Sequence, residues 1–342
     1  MTNTTLPGRR SVLRALALSL MLLMALMNPA TASAASSSFG SSDFVAGSMG
    51  SDDLDSMSAP DWMGDLPDSA NPTELSLPGT HDTMAYSASL IGATQDFDLA
   101  TQLNAGIRVL DIRTRHYQDE FPIHHGIEYL QADFADVVST VSEFLRENPS
   151  ETVFMRMQKE YKDAENTRSY EDTLNWYIHD NPDTRDLLSE YLWTPPADYD
   201  GAIPDLGEIR GQVVILQNFS ADGVYGPRWG RNMDIQDDYL LPSLDDIDTK
   251  WEKVRDQFEK AEQGSMQTMF VNGLNATSGE DLGAIIDGVL PMTVAKGTRN
   301  VTGIVPRTED YLRDSGTGRT GIVFADFPSA ALVEEVIARN FN

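Results

Sequence analysis

Glu74-Leu75-Ser76-Leu77-Pro78-Gly79-Thr80-His81-Asp82 joins a short apolar run to a Pro-Gly turn and then to three polar side chains. The run has strand length, and Pro and Gly let the backbone leave it sharply, which presents His81 at the strand's end. The pattern recurs. Apolar runs of strand length fall at 74–77, 108–112, 121–124, 152–157, 213–219, 269–272 and 322–324, with helix-like stretches at 133–146, 170–177, 248–262 and 330–339. Strands alternating with helices argue for an α/β fold with a parallel sheet and helical crossovers, either open and doubly wound or closed. Residues fit for chemistry stand just past the runs: His81-Asp82, Arg113, His125, Lys159-Glu160, Asn218 and Asp326. In a closed sheet those C-terminal ends converge on one face, where active sites sit. A single (β/α) barrel is therefore the expected scaffold.

Composition narrows the function. With 342 residues, 41 % of them hydrophobic, the chain is long enough to bury one large core. A formal net charge of -28 opposes nucleic acid and anionic surfaces at long range, so no nucleic-acid partner is expected. Lys is scarce and carboxylates are spread throughout, which fits either adaptation to high salt or an ordinary acidic secreted protein. The absence of Cys removes disulfides, thiolate metal sites and a thiol nucleophile.

The first 34 residues read as an export signal: Arg9-Arg10-Ser11-Val12-Leu13-Arg14, an apolar run to Met27, then Ala30, Ala32 and Ala34. The paired arginines suit twin-arginine export, so the chain is expected to be secreted. Residues 35–60, rich in Ser, Ala, Gly and Asp, read as a disordered leader, and the catalytic barrel is expected over 61–342. The protein is expected to act as a monomer.

His81, His125 and Arg113 are the residue types that phosphodiester cleavage needs. One imidazole removes a proton while another donates one near neutral pH. A guanidinium binds two phosphate oxygens as charge builds, without a metal. His124 and His125 are neighbours on a strand, so one of the two points inward. Asp111 lies two residues before Arg113 on the same face and reads as its buried salt-bridge partner. No metal or other cofactor is expected; a calcium site built from Asp82, Asp111, Glu160 and Asp326 is the competing possibility.

At Leu75 through Asp82, at Gly106-Ile107-Arg108-Val109-Leu110-Asp111-Ile112-Arg113, at Ile123-His124-His125-Gly126, at Asn148-Pro149-Ser150-Glu151-Thr152 and at Gly321-Ile322-Val323-Phe324-Ala325-Asp326, the sequence resembles the bacterial phosphatidylinositol-specific phospholipases C. These are TIM-type barrel enzymes that share the X domain of eukaryotic phospholipases. The resemblance implies His125 inward, His124 in a structural hydrogen bond, and a two-step reaction. In it His81, oriented by Asp326, is the base on the inositol 2-hydroxyl, Arg113 holds the phosphate, and His125, helped by Asp82, protonates the diacylglycerol oxygen. A cyclic inositol phosphate leaves first. The substrate implied is a phosphoinositide-type lipid at a membrane interface. Asp237 and Tyr239 match head-group positions, whereas Gln158, beside Lys159, stands where the family has a Lys, and Asn218 where it has an Arg. Met84, Tyr86, Leu90, Tyr225 and Trp229 are candidates for an apolar lip against lipid. The competing readings are a metal-dependent glycerophosphodiester phosphodiesterase and a non-catalytic lipid- or sugar-binding barrel.

Overall fold

The computed structural model describes residues 53–279, 281–316 and 318–341; the expected export signal, and the expected leader as far as residue 52, lie outside the described residues. Nine strands follow one another as β1 (Ser76–Thr80), β2 (Val109–Thr114), β3 (Pro122–His125), β4 (Glu128–Asp133), β5 (Thr152–Lys159), β6 (Gln212–Asn218), β7 (Met233–Gln236), β8 (Met269–Gly273) and β9 (Gly321–Ala325). The α-helices are α1 (Leu99–Asn104), α2 (Phe134–Glu147), α3 (Tyr170–His179), α4 (Arg185–Tyr191), α5 (Leu206–Ile209), α6 (Ile247–Gln263), α7 (Leu282–Ile286), α8 (Pro291–Lys296), α9 (Ile304–Asp314) and α10 (Ala330–Ala338).

Seven strands run parallel in the order β6-β5-β2-β1-β9-β8-β7. The edge strands β6 and β7 share no ladder among the described residues, so the curled sheet is an open barrel. Part of the opening is filled by the segment 227–229: Gln217 N donates to the Pro227 carbonyl at 2.8 Å and Trp229 N to the Gln217 carbonyl at 3.0 Å.

The third apolar run does not become a barrel strand. β3 meets β2 antiparallel at Thr114 and Ile123 and turns back onto β4. Only residues 115–121 separate β2 from β3, and a parallel crossover needs a dozen or more. His125 therefore reaches the barrel mouth from a hairpin that branches off β2.

β1 is a central strand that contains proline, normally excluded there for want of an N–H. Its register explains the tolerance. The Pro78 carbonyl accepts from Arg108 N at 2.9 Å, so the missing N–H would have faced the Gly106 carbonyl, which the Trp62 indole N–H fills instead at 3.0 Å. Next to it, a Cβ on Gly79 would lie 3.0 Å from the Val109 carbonyl and 3.1 Å from Val109 Cβ, so glycine permits the close approach of β2.

The crossover helices form for ordinary reasons. A capping box between Asp133 and Asp136 starts α2, which buries Val137, Val138, Val141, Phe144 and Leu145 along one face. α6 buries Val254, Phe258 and Ala261 in the same manner. Packing begins ahead of the expected boundary at residue 61, because Leu54 is buried and Ala59 N donates to the Asn104 carbonyl at 2.9 Å. An apolar anchor in a polar stretch is invisible to composition alone.

Candidate active site

The C-terminal ends of the barrel strands and the tip of β3 surround a cavity of about 290 Å³, lined by His81, Arg113, His125, Arg156, Gln158, Glu160, Asp237, Tyr239 and Asp326 among others. His81 leaves β1 with its Nδ1 2.8 Å from Asp326 Oδ1 at the end of β9. Its Nε2 lies 2.6 Å from Arg113 Nη2. A guanidinium offers donors and no acceptor, so that contact requires an unprotonated Nε2 and puts the imidazole hydrogen on Nδ1, toward Asp326. This tautomer is the one a base needs.

Loop 92–95 supports both histidines, His81 through its backbone and His125 through its ring. Gln95 Nε2 donates to the His81 carbonyl at 2.7 Å, and Thr94 Oγ1 donates to the His81 and Asp82 carbonyls, each at 3.1 Å. The Gly92 carbonyl accepts from His125 Nδ1 at 2.7 Å. That leaves His125 Nε2 for the cavity. Behind it Gly126 turns the hairpin at φ +56°, a left-handed conformation that glycine adopts freely.

Arg113 stands among three carboxylates. Its Nε donates to Asp111 Oδ2 at 3.0 Å, and its Nη1 lies 3.5 Å from Asp82 Oδ2 and 3.7 Å from Glu160 Oε2. Burial alone would lower its pKa, but Asp111, Asp82 and Glu160 outweigh burial and raise it. Asp111, buried as expected, has its pKa raised by burial and lowered further by Arg113 and Arg156, so its carboxyl stays well below the usual range.

Asp82 differs. Its backbone is left-handed at φ +43°, its side chain is buried, and its oxygens meet Arg113 at 3.5 Å and His125 at 3.4 Å without a hydrogen bond of ordinary length. Burial outweighs the pull of Arg113 and pushes its pKa up. Local strain of this kind clusters at functional sites. His81, Arg113, Asp82 and His125 thus form one chain of contacts.

The head-group candidates divide. Gln158, Asp237 and Tyr239 line the cavity. Lys159 does not: it is the next residue on β5 and faces outward, 2.6 Å from Asp163 and over the Tyr170 ring. Asn218 stands behind Gln158, and its amide oxygen accepts from Arg156 Nη2 at 3.0 Å and Nε at 3.2 Å. His124 is buried against Tyr129, and its Nδ1 makes no hydrogen bond; burial lowers its pKa. Of the lip candidates, Met84 is buried and Tyr225 and Trp229 are half-buried against the core, while Tyr86 and Leu90 are exposed.

Sequence reading missed Arg156, Thr94 and Gln95. Arg156 carried a usable signal, since it is two residues from Gln158 and so shares its face. The loop carried none.

Below the head-group side, Lys250 of α6 is buried and donates to the Gly273 carbonyl at 2.7 Å and the Asp238 carbonyl at 2.9 Å, pinning the segment that carries Asp237 and Tyr239. Burial lowers its pKa from 10.5 to about 8 against the opposing pull of Asp237, Asp326 and Asp238. Between those values the unfolded chain holds a proton that the folded chain has shed, so this lysine makes stability rise with pH. Relative to Lys250→Met, the wild type is expected to gain on the order of 3 kcal/mol between pH 8 and 10.5, measured by urea unfolding. Parallel pH profiles for the two proteins would refute this.

Comparison with known proteins agrees with this geometry. Residues 76–218 match the family model described as phosphatidylinositol-specific phospholipase C, X domain. A 1-phosphatidylinositol phosphodiesterase of Listeria monocytogenes is 30% identical over 304 residues, covering 84% of this chain and 87% of that relative. One from Staphylococcus aureus is 28% identical over 325 residues, covering 83% and 95%. The solved structure of the phosphatidylinositol-specific phospholipase C from Listeria monocytogenes superposes with a TM-score of 0.66 at 29% identity, covering 83% of this chain and 99% of that one. Two imidazoles, a guanidinium and their carboxylates at the mouth of an open barrel, together with this likeness along most of the chain, establish that it belongs to the bacterial phosphatidylinositol-specific phospholipase C family.

Proposed function

We propose that the protein is a secreted phospholipase C that cleaves phosphatidylinositol-type lipids by attack of the inositol 2-hydroxyl on phosphorus, releasing diacylglycerol and a cyclic inositol phosphate. The observation that carries this reading is His81 between Asp326 and Arg113 at the cavity wall, with the lone pair of its unprotonated Nε2 accepting from Arg113. When a phosphodiester enters, its oxygens compete for Arg113 and uncover that lone pair. His81 Nε2 then takes the hydroxyl proton, and Asp326 stabilises the resulting imidazolium. The new O–P bond forms as the diacylglycerol O–P bond breaks. His125 delivers its Nε2 proton to the leaving oxygen, with the Gly92 carbonyl and Asp82 facing its Nδ1. In a second step water opens the cyclic phosphate with the two imidazoles exchanging roles.

The reaction is metal-independent on this reading, because Arg113 occupies the place among Asp111, Asp82 and Glu160 from which a cation would neutralise the same phosphate oxygens. Among the described residues, no helix is long and apolar enough to cross a membrane. Tyr239, Leu240, Leu282 and Ile286 are exposed on the segments flanking the head-group side, Ile286 at 84%. Their apolar insertion offsets the repulsion between an acidic protein and anionic lipid.

Phosphorus NMR of the enzyme with phosphatidylinositol vesicles in excess chelator tests the proposal. A cyclic phosphate signal is expected to appear first and decay more slowly, at a rate the chelator leaves unchanged. Activity that is lost in chelator and restored by calcium would favour the metal-dependent diesterase instead.

A further inference from the structure

Arg156 has no part in the bond-breaking steps, yet it is the second guanidinium lining the cavity. Strand register explains how it arrives there. Asp111, Arg156 and Leu216 form one row across β2, β5 and β6, and Arg113, Gln158 and Asn218 form the next row toward the mouth. Arg156 and Gln158 share the inward face of β5. The long side chain climbs from the lower row to the upper: Nη1 donates to Asp111 Oδ1 at 3.2 Å and Nη2 donates to Gln158 Oε1. Its flat face lies over the Trp229 indole, 4.6 Å from the ring centroid. The Asn218 amide oxygen also accepts from Nη2 and Nε, so four neighbours set the plane of the group, and 11% of the side chain remains exposed.

The two arginines have different surroundings. Arg113 faces three carboxylates and is committed to the scissile phosphate, whereas Arg156 has only the far oxygen of Asp111, which it shares. Gln158 and Asn218 are uncharged, so the positive charge of this wall resides on Arg156. Asp237 and Glu160 also line the cavity. A ring hydroxyl suits this mixture because it donates to a carboxylate and accepts from a guanidinium. A further anionic group on the ring would meet Asp237 and Glu160, so the fit is to a neutral polyol.

We propose that Arg156 is a head-group-binding residue, donating to ring hydroxyl oxygens of a neutral polyol, with Trp229 and Gln158 as positioning residues that hold its plane. This role rests on the reading of the site given under the proposed function. The test uses the purified full chain, with soluble myo-inositol 1,2-cyclic phosphate as substrate and myo-inositol as inhibitor. Arg156→Met is expected to raise KM and the inositol inhibition constant about tenfold or more while kcat changes by less than about threefold. Arg156→Lys should recover part of the loss, because an ammonium restores the charge without the fork. Trp229→Phe should raise the inhibition constant by a smaller factor, and it carries the test alone if Arg156→Met fails to fold. Unchanged inositol inhibition in these variants would overturn the role. So would a fall in kcat at constant KM, since that pattern means Arg156 acts through Asp111 on Arg113. A wild type that cleaves no phosphodiester would instead sink the reading of the site and leave a different signature.

Discussion

Replacing His81 by Ala is expected to slow diacylglycerol release from phosphatidylinositol vesicles about 10³- to 10⁴-fold, the scale of a lost general base. The fold should survive, because the imidazole is at the cavity wall and its backbone is held independently by Gln95 and Thr94. Asp326 would be left buried with its imidazole partner removed, so a loss of stability of about 1–3 kcal/mol accompanies the change. Asp326→Asn should fall between the wild type and His81→Ala. It keeps a hydrogen-bonding side chain beside Nδ1 but no longer favours the Nδ1–H tautomer or the imidazolium. A radiometric or phosphorus NMR assay at matched vesicle concentration checks both variants. Wild-type turnover by His81→Ala would show that the chemistry lies elsewhere.

Much of this site was legible because the groups proposed for catalysis sit at strand ends, where an apolar run stops and a polar residue begins. His81 and Asp326 follow that rule directly after the last residues of β1 and β9, and Arg113 is the penultimate residue of β2. His125 satisfies the same local pattern for a different reason. It ends a hairpin arm, and only the seven-residue connection 115–121 reveals that β3 does not cross over. β7 escaped notice because Met233-Asp234-Ile235-Gln236 is short and half polar, and its place in the sheet is decided by pairing with β8. Lys159 was misplaced because its neighbour in sequence lines the site; alternation along β5 gives the cavity to Gln158 and Arg156 and sends Lys159 outward. Loop 92–95 has no periodicity to read, and its carbonyls and amides are placed only by the tertiary fold.

At the opposite end of the barrel, Arg108→Met or Glu151→Gln is expected to cost about 3–5 kcal/mol of stability, the usual effect of stripping one partner from a buried ion pair. Both side chains are fully buried. Arg108 Nε donates to Glu151 Oε2 at 2.8 Å, Nη1 to the Leu103 and Ile107 carbonyls at 2.9 Å each, and Nη2 to the Pro60 carbonyl at 2.7 Å. Glu151 Oε2 also accepts from Met63 N at 3.2 Å. The pair therefore ties β2 and the start of β5 to the segment ahead of β1, and Arg108→Met leaves a buried carboxylate without its cation and buried carbonyls without the guanidinium donors. A domain with a total stability of about 5–15 kcal/mol would be near its limit. Urea unfolding followed by tryptophan fluorescence measures the loss. The double variant Arg108→Met/Glu151→Met should lose less than the two singles combined, because no unpaired charge stays behind. Arg108 stands just before β2 and five residues before Arg113, about 17 Å away along the extended chain, so folded Arg108→Met should keep its KM and kcat at low temperature. Single variants that lose under about 1 kcal/mol would show that the pair is dispensable and that apolar packing around Trp62 and Phe144 holds this end together.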